Sequence, residues 1–505
     1  MQTRARRPAI SGGGGRTVLA AASDALLPFF DTREACALRL VGREWRAAVA
    51  RHAWADRETP IRGSVAAWRA SFPLAKAAFV HGYARSRPPP PAAQHYRCWF
   101  MGDARPARWD LVDADFAHFA GLRELHLAEC LKITDAAFVH LKGIHTLYVN
   151  GLSHVVTDAA FAHLKGIKNL TIRDFYGGRF SGALFAHLKG IHTLDLDHCN
   201  VSDEAFLHLK GIHTLRMNFS QGITSAAFSH LGGIKVLDIS GCDGITDAAF
   251  VHFKGIHTLR ISYCRRAVIT DAAFSHLVGI HTLDMSNCRQ ATITSSAFRH
   301  LAGIHTLDMS GCNQATITDA AFVHLRGIRV LNMSKCSQAT ITDAAFTHIA
   351  GVHTLNMTGC NQASITDAAF AHLRGVHSLD MSGCNQATIT DAAFASLAGI
   401  RELDMSRCSQ VTDAAFVHLA GIRSLTMCGC NQRTITDAAF AHLAGIDTLC
   451  MALCDQDTIT GAAFRRLAGI RRLNLQFCGQ ESITAADFRT CGGSRLCICP
   501  ALAAR

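Results

Sequence analysis

The chain has no run of the roughly eighteen apolar residues needed to cross a bilayer as a helix. Its opening, MQTRARRPAISGGGG, lacks the hydrophobic stretch of a secretory signal. From these absences we expect a chain that crosses no membrane and resides in the cytoplasm or nucleus. No acid precedes Asp24, so residues 1–17 read as a disordered leader, although an organelle transit peptide shares that composition. Charge is thin as well. Only 18% of the 505 residues are charged, and the excess of +11 is spread along the length rather than gathered in a basic stripe, so no nucleic-acid partner is expected. Missing too is the two-residue gap of a zinc knuckle. Of 20 cysteines, only Cys428 with Cys430 and Cys497 with Cys499 come near it. A long chain in a reducing compartment keeps its thiols reduced, which argues against a disulfide framework. The run from Gly12 to Gly15 follows no strand pattern and opens no apolar helix, so it is weak as a phosphate loop.

What the sequence does contain is repetition. GCNQATITDAAF runs from Gly311 to Phe322 and again, unchanged, from Gly383 to Phe394. Gly-Ile, Gly-Val or Gly-Leu steps recur from Gly121 to Gly469 and mark sixteen units of 21 to 24 residues. In the unit that begins at Gly303, Ile304, Leu307 and Met309 are expected inward and Thr306, Asp308 and Ser310 outward, the alternation of a half-buried strand. Thr318 is placed to cap a helix, Asp319 suits its positive start, Phe322 and Leu325 share a face, and Gly327 suits a left-handed exit. Each unit reads as strand, turn and a helix of about seven residues, too short to persist alone. Stability must therefore come from stacking on both neighbours.

The pattern Ile-x-x-Leu-x-Met-x-x-Cys followed by Ile-Thr-Asp resembles the cysteine-containing leucine-rich repeat. That resemblance implies an α/β solenoid over residues 97–499, with short parallel strands on a concave face, short helices outside and caps at the ends. It also implies that the cysteine turns inward to satisfy backbone groups of the bend. Thirteen cysteines from Cys130 to Cys478 hold this position, and Leu152, Phe175 and Ser220 hold it in the other units. Such swaps suit packing, whereas a metal site would fail on losing a ligand. Histidines also form rows, one at strand entry, as at His257, His281 and His305, and one on the helices, as at His324 and His372. No carboxylate or thiol accompanies them at ligand spacing, so neither metal nor cofactor is expected.

Ahead of the repeats, residues 18–54 have helical periodicity, and residues 18–84 read as a small helical module with a following helix. Residues 85–96, with four consecutive prolines, read as a semi-rigid linker, and residues 500–505 as a tail. Within the module, LRLVGREW matches the Leu-Arg-Leu-Val-x-x-x-Trp core of the F-box, Asp31 opens the helix-joining turn and Trp54 closes the motif. Val18-Leu19 stands where that family has Leu-Pro. The resemblance implies binding to the Skp-type adaptor of a cullin ubiquitin ligase, with Leu26, Leu27, Leu38, Leu40 and Val41 making the contact.

The two resemblances together imply a substrate receptor of a Skp-cullin-F-box ubiquitin ligase whose repeats hold a protein target. No enzymatic activity is expected, because no nucleophile, base and orienting residue stand out as single positions. The alternatives are a leucine-rich-repeat interaction scaffold outside ubiquitin transfer, and a redox or metal buffer built on the cysteine rows. On the strand surface, Asp284, Asp308, Asp380 and Asp404 of the uniform middle units read as a solvated spacer. The early units vary, and Tyr148, Arg173, Asp195, Arg216, Asp238 and Arg260 are the expected target-binding residues. Arginine and aromatic side chains are frequent anchors of protein interfaces.

Overall fold

A computed structural model describes residues 43–52, 54, 59–61, 64–80, 111–173, 182–196, 201–220, 222–480, 482–484, 487 and 495–498. The chain divides into two compact units, one of residues 1–85 with 103–197 and one of residues 86–102 with 198–505.

In the first unit, helix α1 (Arg43–Arg51) precedes strand β1 (Thr59–Ile61), and helix α2 (Val65–Ser71) precedes strand β2 (Ala77–Val80). Four more strands follow, β3 (Glu124–Cys130), β4 (Thr146–Leu152), β5 (Asn169–Arg173) and β6 (Thr193–Leu196). All six pair in chain order and in parallel. The sheet therefore starts within residues 18–84, where the periodicity predicts only helices, and Ala77 to Phe79 pair with Glu124 to His126. Around α2, Ser64 caps the helix by accepting from the Ala67 amide at 3.1 Å. Trp54 is buried, its Nε1 donates to the Val49 carbonyl at 2.9 Å, and its ring meets Phe72 edge-on.

In the second unit, thirteen parallel strands run in chain order from β7 (Thr214–Arg216) to β19 (Arg495–Ile498). From Thr214–Arg216 through Thr448–Cys450, every strand is three residues long. The coil that begins at Gly303 shows why the sequence folds this way. Ile304, Leu307, Met309, Phe322 and Leu325 are buried, and the helix consists of an α-turn, Asp319–Phe322, tightened into a 3-10 turn, Val323–Leu325. Thr318 caps it by accepting from the Ala320 amide at 3.3 Å. Gly327 closes it at φ +82 with open space where a Cβ would stand, so the left-handed backbone and not crowding demands glycine. Ser310, expected outward, is only 5% exposed. Its amide donates to Asp308 Oδ1 at 2.9 Å, and this turn ends the strand's alternation one residue early.

The repeated phrase is a set of contacts between neighbouring coils. Cys384 donates its thiol hydrogen to the Met357 carbonyl at 3.1 Å, and Gln386 Nε2 donates to the Cys360 carbonyl at 3.1 Å. Thr388 Oγ1 donates to the Ile365 carbonyl at 2.8 Å. Asp367 receives both the amide and the hydroxyl of Thr390, each at 2.7 Å. The aspartate thus does more than favour its own helix start, since it clamps the cap residue of the next coil.

Candidate interaction surface

The outward residues of the early strands fall into two groups, one in each unit. In the first unit, Tyr148 lies stacked on His126 with ring centroids 5.6 Å apart, and His126 Nε2 meets Glu124 Oε1 at 2.8 Å. Arg173 Nη2 donates to Asp195 Oδ2 at 2.7 Å. In the second unit, Arg216, Asp238 and Arg260 sit directly beside one another on adjacent strands, and Arg260 Nη1 lies 3.6 Å from Asp238 Oδ2. Two of the six depart from the expected outward placement. Asp195 is 2% exposed and Asp238 7% exposed. Each is covered by the arginine paired with it, and Asp238 also accepts from the amide and hydroxyl of Ser240 at 3.2 and 2.7 Å. What these strands offer a partner is therefore the tyrosine and the arginines. The adaptor-contact residues Leu26, Leu27, Leu38, Leu40 and Val41 lie outside the described residues.

The middle aspartates are not a solvated spacer. Asp284, Asp308, Asp380 and Asp404 each accept from the amide two residues on, at 2.9 to 3.0 Å, and Asn332 Nδ2 reaches Asp308 Oδ2 at 2.8 Å. Burial, and after it the neighbouring carboxylate of Asp308, pushes Asp284 up to about 6. These side chains shape the strand ends and sit partly out of water.

The thiols are inward. All twelve described cysteines of the repeat position are buried, and desolvation pushes Cys312 and Cys360 up to about 12, which leaves them protonated and unreactive at neutral pH. Among the residues whose side chains are described, two cysteines stand outside that row, Cys428, half-buried, and Cys450, buried, with sulfurs 3.1 Å apart. Cys497 and Cys499 are not among the residues whose side chains are described. The strand-entry histidines stack ring on ring. His257, His281 and His305 have successive centroids 4.5 Å apart, and each Nδ1 lies 3.1 Å from the hydroxyl of the threonine after it. Desolvation, then His305 and His257, hold His281 below its usual range. Among the described residues, no three histidine, cysteine, aspartate or glutamate side chains converge as metal ligands.

No protein-family model matches the sequence, and no curated protein matches it. Solved structures do. The chain is similar to one in the crystal structure of the TLR13-ssRNA13 complex at 19% identity and a TM-score of 0.53, over 78% of this chain and 60% of that one. It is also similar to one in the Toll-Spatzle complex of Drosophila at 17% identity and a TM-score of 0.48, over 75% of this chain and 55% of that one. A third similarity is to one in the yeast Rad7 and Elc1 complex, at 15% identity and a TM-score of 0.42, over 65% of this chain and 81% of that one. The fold is that of a leucine-rich-repeat solenoid. Identity at this level speaks to fold alone, and the chain spans under two thirds of the first two structures' chains. Among the described residues, no helix of this solenoid is long and apolar enough to cross a membrane.

Sequence reading missed one column of side chains, the residue just before each cysteine position. It adopts a left-handed backbone in every described coil of the second unit, and where glycine is absent the occupants include Phe219, Tyr263, Lys335, Leu453 and Phe477. These are exposed, and the Phe219 ring lies where a Cβ on Gly241 would stand. The signal was available in the alternation of glycine with large residues at that position.

Proposed function

We propose that this chain is a protein-recognition subunit of a Skp-cullin-F-box ubiquitin ligase, with residues 18–54 holding the adaptor and the repeats holding a protein target. One observation carries the recognition half. The buried leucine and phenylalanine positions recur through both units, while the outward strand residues differ, with Tyr148 and Arg173 in the first unit and Arg216 and Arg260 in the second. Selective binding needs varied chemistry on a constant frame. For the adaptor half, support comes from the matched F-box core and from Trp54 packed against Phe72 of the segment leading into β2, which makes the motif's end part of the first unit's core.

The chain performs no chemistry in this reading. Its role is to bring a target near a ligase in the cytoplasm or nucleus. Capture of a Skp-type adaptor tests it. Leu40→Glu with Val41→Glu should abolish capture and leave the melting temperature of the repeats unchanged. An unmodified chain that captures no adaptor while still binding a protein target would reduce the reading to a scaffold outside ubiquitin transfer. Alanine at Tyr148, Arg173, Arg216 and Arg260 together should remove target binding, and retained binding would move the target site elsewhere on the repeats.

A further inference from the structure

Basic side chains that are scattered along the sequence fall into one column in the fold, four of them the fixed cations Lys235, Arg329, Arg401 and Arg423. In the second unit, the residue at strand entry donates its amide to the carbonyl of its counterpart one coil earlier, without a break from Lys235 to Arg423. Nine coils are joined in this way. Five of the nine residues are histidines, His257, His281, His305, His353 and His377, and the others are Lys235, Arg329, Arg401 and Arg423. All nine are exposed. Lys254, Arg326 and Arg374, also exposed, stand just before the coil-closing glycines, three residues ahead of His257, Arg329 and His377 of the column. Among the residues that directly follow the nine, Glu402 is the one acid. Among the described residues, no salt bridge ties Lys235, Arg329 or Arg401 to an acid. Lys235 and Arg401 bond instead to the carbonyls of Gly255 and Gly421.

The next coil shows what such a line accepts. There the strand-entry residue is Asp447, and its carboxylate draws in Arg423 from one side at 3.7 Å and Arg471 from the other at 3.5 Å. One carboxylate placed in the column is shared by the arginines of the coils on both sides.

We propose that the edge from Lys235 to Arg423 is a docking site for an extended, Asp- and Glu-rich segment of a partner protein laid across successive coils. An extended chain advances about 3.3 Å per residue, and ring centroids in the column advance 4.5 Å per coil. Flexible glutamate side chains bridge that mismatch, each reaching the nearest cation. Single-stranded nucleic acid fits the edge less well, because it binds through exposed aromatic platforms as well as charge. The exposed aromatics Phe219, Tyr263 and Phe477 all lie before the cysteine positions, at the far end of the strands, and the imidazoles of the column stack on one another. The inference shares with the proposed function only the premise that the repeats hold a protein.

The test uses the full chain at low salt, with fluorescence anisotropy of three labelled probes. These are a peptide of about ten glutamates, a Gly-Ser peptide of the same length and an oligothymidylate of similar span. The glutamate peptide should bind, the Gly-Ser peptide should not, and added salt should weaken binding. The triple variant Lys235→Glu, Arg329→Glu, Arg401→Glu should lose at least about tenfold in affinity. Arg329→Lys with Arg401→Lys should retain it, because charge and not a planar fork is required. Failure of the glutamate peptide to bind, or equal binding by the triple variant, overturns the inference. Preference for the oligothymidylate overturns it in favour of a nucleic-acid edge. Adaptor capture by the same triple variant reports separately on the ligase reading, which does not involve this edge.

Discussion

The two units stack parallel strands by different means. In the first, β3 and β4 are seven residues each and pair at six positions, so much of the coil-to-coil adhesion is backbone. In the second, pairing from β8 to β18 covers three residues per coil, and side chains supply the rest through the cysteine, glutamine and threonine ladders. The difference follows from which residue ends the strand. The cysteine thiol reaches a carbonyl of the previous coil at an offset of 27 residues through the middle of the array and of 25 at Cys242, Cys264 and Cys430, so the ladder tolerates a change in coil length but requires the cysteine. Where Leu152 takes the cysteine's place no thiol is available to donate, and the longer strands β3 and β4 carry the stack. Common to both units are the buried phenylalanine of each helix and the Asp-Thr clamp, as in Asp135 with Thr157 and Asp343 with Thr366.

The largest expected effect probes what the units share. Phe161→Ala in the first unit and Phe322→Ala in the second each remove a fully buried ring and should each cost about 3–5 kcal/mol in denaturant melts. A much smaller loss in one unit would break the view that both units rest on the same kind of core beneath two modes of adhesion. Next comes the clamp. Asp343→Ala deletes acceptors for the amide and hydroxyl of Thr366, both at 2.7 Å, and should cost about 2 kcal/mol. Hydrogen exchange should open first at the cap of the following helix. A change confined to the helix of Asp343 itself would mean that the residue acts only on its own helix start.

That second case marks the boundary of what the sequence makes legible. The coil length, the inward Leu and Met, the helix face of Phe322 and Leu325, the threonine cap and the left-handed glycine all follow from local spacing and local backbone chemistry. The partner of Asp319 does not, because it is Thr342 in the next coil, and periodicity reveals which way a side chain faces but not whose backbone it meets. Ser310 departs from its expected side for a related reason, since strand alternation does not run past Asp308, whose turn ends it. The arginines of the candidate surface were legible as unusual residues in the array. Burial of Asp195 and Asp238 was not, since it depends on arginines from neighbouring strands. The basic edge was hidden for the same cause. Lysines and arginines that look dispersed in a linear chain share a column once the coil period is applied.

A smaller effect separates the aspartate ladder from the histidine column by pH. Asp284 titrates at about 6 in the fold against an ordinary 3.8, so the folded state binds its proton more tightly than the unfolded chain does. The resulting stabilisation is complete below 3.8 and is lost as pH rises through about 6. Asp284→Asn keeps an oxygen for the Ser286 amide, as Asn332 does for Ser334. It should therefore raise stability by about 1–2 kcal/mol at pH 7.5 and give no gain near pH 4. His281 has the opposite sign. Its folded value lies below 6.5, so stability is full above 6.5 and declines as pH falls through the folded value. In the Asp284→Asn background the acid loss from the histidine column should stand out more clearly, and should shrink in high salt. An Asp284→Asn gain that persists at pH 4 would mean that the carboxylate is strained by packing and not by charge.

The smallest effect concerns the left-handed column before the cysteines, where the second unit mixes glycine with larger residues and the first has Gly151. Lys335 holds φ 58 and is exposed. One coil later, Gly359 holds φ 65, and the nearest atom to the place where its Cβ would stand is Lys335 Cγ, at 3.9 Å. Space is therefore not limiting at either site, and backbone preference alone should decide. A non-glycine residue in this region costs about 1–2 kcal/mol, while glycine costs the unfolded chain's extra entropy, about 0.5–1 kcal/mol. The balance predicts that Lys335→Gly stabilises by about 0.5 kcal/mol and Gly359→Ala destabilises by about 0.5–1 kcal/mol. Equilibrium unfolding of the two variants and their combination checks both signs. If Lys335→Gly instead destabilises, the lysine stem makes a packing contact across the coil that outweighs its backbone strain, and the column is a second set of side-chain ties between coils and not a row of tolerated exceptions.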